Sequence, residues 1–169
     1  MLFCIIGPSG SGKSTVVNEL IKRGYKAPDS YTTRPRRYLN EGGHTYITQE
    51  EYDALEDKVA YTHFNGYDYC VTKQMLDGCD LYVVDPAGID ALKSNGYSDF
   101  KVIGLELEPS DCAVRMLARG DYGKDVLSRL DNDWYMFRNF ELMCDLIIDA
   151  TQDIPVIVNM IEDFMKSNS

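Results

Sequence analysis

The sequence contains no apolar run near the roughly 18 residues that a membrane-spanning helix needs, so a span is not expected. Met1-Leu2-Phe3-Cys4-Ile5-Ile6 leads straight into a glycine-rich motif, with no basic prefix and no small-residue cleavage site. A secretory leader is therefore not expected, and the expected location is the cytoplasm. Positive charge is also in deficit: 17 Lys and Arg stand against 27 Asp and Glu, a formal net charge of −10. A phosphate polymer or an anionic bilayer would be repelled overall, so neither nucleic acid nor membrane is an expected partner. There is no C-x-x-C pair. Cys4, Cys70, Cys79, Cys112 and Cys144 are odd in number and scattered, which speaks against a disulfide framework or a zinc site and for reduced, partly buried thiols. Internal repeats and low-complexity tracts are missing as well.

What remains is a chain of 169 residues, enough for one compact domain with a substantial core. Leu2 to Ile6 is a short apolar run of the buried parallel-strand kind, followed by a Gly-rich turn and the amphipathic stretch Lys13 to Arg23. Leu81 to Val84, Val102 to Leu107 and Leu146 to Ile148 have the same strand character. Helical stretches follow them at Pro86 to Lys93, Pro109 to Arg119 and Ile154 to Lys166. Strands alternating with helices predict a parallel sheet covered on both faces. From Pro28 to about Met75 the texture turns Tyr-, Thr- and Gly-rich, with alternating segments at Thr45 to Thr48 and Tyr67 to Val71 and a helix near Gln49 to Leu55. This reads as a strand-rich insertion. Arg119 to Asp133 is polar and carries Gly-Asp-Tyr-Gly, the interruption expected of a mobile segment between helices. The tail after Met165 is expected to fray.

Gly7-Pro8-Ser9-Gly10-Ser11-Gly12-Lys13-Ser14 matches G-x-x-x-x-G-K-[ST] in full, between a strand and a helix as the motif requires. Its glycines let backbone N–H groups curl around a phosphate chain, and the helix adds its positive N-terminal end. Lys13 supplies a point charge to the β- and γ-phosphates of ATP. The Ser14 hydroxyl can join a Mg²⁺ shell made mostly of phosphate oxygens and water, with Thr15 a weaker participant. Gly7, Ser9, Gly10, Ser11, Gly12, Lys13, Ser14 and Thr15 are the expected ATP-binding set.

Ser30-Tyr31-Thr32-Thr33-Arg34-Pro35-Arg36-Arg37 places three guanidinium groups within four residues of a strongly acidic protein, which reads as a second anion site. The order of phosphate loop, S-x-T-T-R-x-x-R and a Gly-containing turn with Tyr resembles the guanylate kinase family across essentially the whole chain. The resemblance implies a three-layer α/β P-loop kinase with a core (1–27, 76–118 and 134–169), an acceptor-binding insertion (28–75) and a lid (119–133). It implies that Ser30, Arg34, Arg37 and Tyr46 hold the phosphate of a nucleoside monophosphate. Tyr69 then falls in the family's G-x-Y-Y-G stretch as a further phosphate contact, and Asp85 aligns with a family carboxylate near acceptor and metal. Arg115, Arg119 and Arg129 fall near the lid arginines that close over ATP and the transferring group. A monophosphate oxygen is already anionic near neutral pH, so such a site needs arginines and Mg²⁺ more than a general base.

The chain departs from the family where guanine is read. The family's glutamate falls at Ala60 and its serine at Val71, Val83 stands where an acidic residue is common, and Asp149 lies near a usual Asn. Asp68 or His63 could substitute as base readers, and Tyr31, Tyr38, Tyr61 and Tyr67 could line a base pocket or simply pack. Three readings stay open: a kinase for GMP or dGMP, a sugar-phosphate kinase of the ribose 1,5-bisphosphate phosphokinase type, and a non-catalytic phosphopeptide-binding module of the same fold. The expected partners are ATP and a small phosphorylated acceptor, with the chain a monomer or homodimer.

Overall fold

The computed structural model describes residues 1–168. In chain order the elements are β1 (Leu2–Ile6), α1 (Lys13–Lys22), β2 (Ser30–Thr32), β3 (His44–Tyr46), α2 (Gln49–Asp53), β4 (Lys58–Phe64), β5 (Tyr67–Thr72), α3 (Lys73–Leu76), β6 (Leu81–Val83), α4 (Pro86–Ser94), β7 (Phe100–Glu106), α5 (Pro109–Ala118), α6 (Gly123–Met136), β8 (Leu146–Asp149) and α7 (Ile154–Ser167). A 3-10 turn, Phe140–Met143, precedes β8.

All five residues of β1 are buried. It lies between β6 and β7 in a parallel sheet of order β6-β1-β7-β8. Successive side chains of a strand point to opposite faces, so an uninterrupted apolar run needs cover on both. On one face Phe3 and Ile5 pack with Leu20 of α1 and Ile157 and Ile161 of α7. On the other, Cys4 and Ile6 pack with Ile89 and Leu92 of α4. Each such Ile or Leu contributes about 1.5–3 kcal/mol relative to exposure. The expected three layers are present. Among the described residues no helix is long and apolar enough to cross a membrane.

A second sheet, of order β3-β2-β5-β4, lies wholly between Ser30 and Thr72. Its β4 and β5 form a hairpin closed by Asn65 and Gly66, both at positive φ, 51° and 82°. The hairpin packs back on α4, and Ala60 and Val71 join the same core cluster as Leu92.

Two expectations are corrected. The polar stretch after Arg119 is an irregular break only as far as Tyr122; Gly123–Met136 is a 14-residue helix. Only Val126 and Asp133 of α6 are fully buried, with Leu130 packed part-way into the core between them, so its apolar face is short and interrupted by a carboxylate. The C-terminal helix also does not fray after Met165. It continues to Ser167, where the Ser167 hydroxyl donates to Asp163 O (2.8 Å) and the Asn168 amide donates to Phe164 O (2.8 Å).

Candidate active site

The glycine-rich loop leaves the C-terminal end of β1 and turns into α1 along the floor of a cleft of about 690 Å3 between the two sheets and α6. Gly10 and Gly12 adopt left-handed φ values of 83° and 97°. A Cβ on Gly10 would also stand 2.8 Å from Cys112 O, so the loop both bends and packs too tightly there for a side chain. Gly12 caps α1 without a side-chain bond, leaving the first-turn N–H groups and the positive helix end directed at the cleft. Lys13 Nζ folds back to donate to Gly7 O (2.5 Å) and Pro8 O (2.9 Å). Enclosure pushes its ammonium down to about 8, against the opposing pull of Asp133.

At the insertion end, Arg34 and Glu41 are 8% and 2% exposed and form a buried bidentate pair: Nη1 donates to Oε2 (3.1 Å) and Nη2 to Oε1 (2.8 Å). Arg34 also donates from Nε to Tyr69 Oη (3.1 Å) and from Nη1 to Pro35 O (2.8 Å). Glu41 further accepts from Arg37, through its backbone N (2.7 Å), its Nε (2.6 Å) and its Nη2. The bonds from these two arginines hold the Glu41 carboxyl far below the usual carboxylate range. Arg34 therefore keeps little donor capacity for a ligand, whereas Arg37 retains its Nη1. Arg36, third of the cluster, turns away: it sits over the Tyr46 ring (4.4 Å to the centroid) and donates to Glu41 O (2.9 Å). The Ser30 hydroxyl pairs with His44 Nδ1 at 2.8 Å, and burial beside Arg34 pushes His44 down to about 4, keeping it neutral at pH 7.

The third set comes from α5 and α6. Arg115 donates from Nη2 to Ala150 O (2.7 Å) and from Nη1 to Ser11 O (3.5 Å), bracing the loop against the turn between β8 and α7. Arg119 grips Asp121 with two bonds (3.0 and 2.7 Å), and Arg129 Nη1 approaches the same carboxylate at 4.0 Å. The Arg129 Nε is buried without a hydrogen bond. Asp85 caps α4 by accepting from Gly88 N (2.8 Å) and lies beside the Thr62 hydroxyl, with burial raising its carboxyl.

Gly7, Ser9, Gly10, Gly12, Lys13, Ser14, Thr15, Ser30, Arg34, Arg37, Tyr69, Asp85, Arg115, Arg119 and Arg129 all line this one cleft. Two expected residues do not. Ser11 is 1% exposed with its hydroxyl turned inward, and Tyr46 lies under Arg36 behind the Arg34–Glu41 pair. Asp68 and His63 are not in the cleft wall either; they pair with each other (2.8 Å), with Asp68 also accepting from Gln49 (2.9 Å). Of the tyrosines considered, Tyr61 reaches the cleft and Tyr31, Tyr38 and Tyr67 do not. Ala60 and Val71 face each other across the hairpin, each 0% exposed, so the positions aligned with the family's guanine readers are apolar and sealed. The Asp149 carboxylate is taken by Thr151 (2.8 and 2.7 Å), and Thr151 and Gln152 line the cleft in its place.

Sequence reasoning missed His44, Thr62, Tyr82 and Asp133 in the wall, and Glu41 behind it. Glu41 alone carried a signal, as the one carboxylate within seven residues after Arg34.

No family model matches the chain. It is 30% identical over 145 residues to the guanylate kinase of Thermotoga maritima, covering 78% of this chain and 70% of that one. It is 31% identical over 177 residues to the guanylate kinase of a Polaromonas species, covering 94% and 86%. The crystal structure of guanylate kinase from Anaplasma phagocytophilum is similar in fold, with a TM-score of 0.76 at 21% identity over 99% of this chain and 85% of that one.

Proposed function

Because the chain belongs to the guanylate kinase family, we propose that it transfers the γ-phosphate of ATP to a nucleoside monophosphate, with GMP or dGMP as the acceptor. The observation that supports this best is the meeting of two anion-binding sets in one cleft: the loop with Lys13 on one side, Arg34 and Arg37 on the other, and Arg119 and Arg129 beside them. Residues 28–75 are the acceptor-binding insertion in this reading and 119–133 the lid, on a core formed by the rest. The location that goes with it is cytoplasmic.

The residues fit ATP and Mg²⁺. The loop's φ values and close packing make a cradle with no room for a side chain, and the uncapped start of α1 supplies N–H donors to phosphate oxygens. Among the described residues no group of three or more His, Cys, Asp or Glu could hold a metal. Mg²⁺ suits such a site because it binds through phosphates, waters and one or two protein oxygens, here the Ser14 hydroxyl; when bound it neutralises charge between the phosphates. Lys13 exchanges two loop carbonyls for the phosphate chain. Arg37, with Tyr69 and Ser30, orients the acceptor phosphate, while Arg34 is held by Glu41 as part of the frame. Arg129 and Arg119 stabilise the transferring group, and closure of α6 excludes water.

With Ala60 and Val71 sealed, Asp85, backed by Thr62 of the β4–β5 hairpin, is the cleft carboxylate on the insertion side that can accept from the adjacent ring N–H and amine of guanine. The same two apolar residues favour a second reading, a sugar phosphate as acceptor, since that ligand has no base to recognise. An ADP-release assay with Mg-ATP over GMP, dGMP, AMP, CMP, UMP, dTMP and ribose 1,5-bisphosphate decides between them. Turnover with GMP or dGMP is expected; turnover with the sugar phosphate alone would replace the first reading by the second. Failure to bind Mg-ATP at all would leave only the non-catalytic module. Arg37→Ala is expected to raise the KM for the acceptor about 10- to 100-fold, the worth of one or two charge-assisted bonds, with the Kd for ATP within about twofold. Steady-state kinetics and ATP titration check the two halves.

A further inference from the structure

Asp133 carries chemistry that the reaction above does not use. It sits one turn after Arg129 on α6 and is 6% exposed. Its Oδ2 accepts from the backbone N of Ser9 at 2.7 Å, and the Ser9 hydroxyl lies beside the same carboxylate. Of the cations that act on it, Lys13 has the larger influence and Arg129 the smaller. A buried carboxylate is costly unless it is paired, and here the groups that pair its Oδ2 belong to the glycine-rich loop, while Oδ1 is buried with no hydrogen bond among the described residues. Burial raises the carboxyl, with the Ser9 bonds and Lys13 opposing.

The consequences for α6 are visible along its length. While Asp133 is on the loop, the Arg129 Nε one turn earlier is buried with no acceptor. On the same helix Ser128 Oγ (2.8 Å) and Asn132 Nδ2 (3.2 Å) both donate to Asn65 Oδ1 at the tip of the β4–β5 hairpin. The helix thus ties the loop to the acceptor-binding insertion, and in that arrangement its Arg129 meets a carboxylate only at 4.0 Å, that of Asp121, while its Nε has no hydrogen bond among the described residues. A buried guanidinium N–H without an acceptor costs free energy that a phosphate would recover.

We propose that Asp133 is an internal anion that occupies the phosphate loop in the nucleotide-free protein, and that ATP must displace it to bind. This rests on the loop being the ATP site. The carboxylate stands where a phosphate oxygen would accept from Ser9 N, so the two anions exclude each other. Nucleotide entry lifts the last two turns of α6 from the loop and releases its hold on Asn65. The apparent affinity for ATP is then reduced by the fraction of protein in the docked form; about nine-tenths docked means about tenfold weaker binding.

The test is the Kd of ATP, with and without Mg²⁺ and with no acceptor, for the wild type, Asp133→Asn and Asp133→Ala. Trp134, the sole tryptophan and 68% exposed, follows Asp133 directly and reports the position of α6 by its emission. Both variants are expected to bind ATP about tenfold more tightly with or without Mg²⁺, and their nucleotide-free Trp134 emission should already lie toward the ATP-bound value. The isosteric Asp133→Asn removes the charge while keeping the shape, so it serves if the alanine variant does not fold. Unchanged or weaker binding by folded Asp133→Asn would overturn the proposal. Weakening seen only with Mg²⁺ would overturn it in favour of a metal-bound carboxylate. If neither wild type nor variants bind ATP, the kinase reading fails and the proposal with it.

Discussion

Lys13→Ala is expected to lower kcat by about a thousandfold or more with every acceptor, the scale of losing a preorganised charge at a transferring phosphoryl group. In the structure the ammonium is already inside the cleft, held by the carbonyls of Gly7 and Pro8, so its placement costs no search when ATP arrives. Arginine at this position would not restore the rate, because a planar fork cannot follow a loop built around a compact point charge. Acceptor affinity, measured by equilibrium titration, should change little, since Arg37 and Tyr69 stand at the other end of the cleft. Enclosure adds a pH signature. With the ammonium pushed down to about 8, its charge is present below that pH and is lost as pH rises through it. ATP binding to the free protein should therefore weaken above pH ~8, and Lys13→Ala should flatten that limb. The stability contribution has the opposite course. Between about 8 and the usual lysine value of 10.5 the unfolded chain binds more protons, so this group makes the fold relatively more stable as pH rises through that window. Urea titrations of both proteins at pH 7 and 10 would check it.

The largest effect on stability belongs to Glu41. Glu41→Ala strands Arg34, 8% exposed, with its two bidentate bonds gone and Arg37 released from three more. Breaking a buried ion pair from one side costs about 3–5 kcal/mol, because a desolvated charge is left behind. For a chain of this size that is a fall in Tm of roughly 10 °C, measurable by circular dichroism. Acceptor binding should fall with it, since Arg37 takes its direction from Glu41. The pH dependence follows from a carboxyl held far below its usual range. Its stabilisation is complete above about pH 4.3, the value in the unfolded chain, and is lost as pH falls through the folded value. Glu41→Gln should remove this acid-side component while keeping part of the hydrogen bonding. Equal acid sensitivity in Glu41→Gln and wild type would contradict the assignment.

Much of the fold and the loop can be read along the chain because the signals are local. Apolar runs such as Leu2–Ile6, and the spacing of Ile157, Ile161 and Met165, report strands and a helix face directly. The helix α6 escaped that reading because its inward face, begun by Val126 and Leu130, continues with a carboxylate, Asp133. The arginine cluster announced an anion site, yet three guanidinium groups within four residues do not say which one faces the ligand. One is saturated by Glu41, one lies on Tyr46, and one keeps a free end toward the cleft.

Sequence by itself determined the alternation of strands and helices, the phosphate loop and the family, because backbone preference, apolar periodicity and a contiguous motif act over a few residues at a time. Tertiary structure alone decided that Asp68 answers His63 instead of a base, that Ala60 and Val71 are sealed beneath the hairpin, and that Asp133 rests on the loop 124 positions away in the chain. The physical reason is that the state of a polar side chain depends on which donors and charges the folded chain brings beside it. Those neighbours come from other elements, which no local pattern specifies.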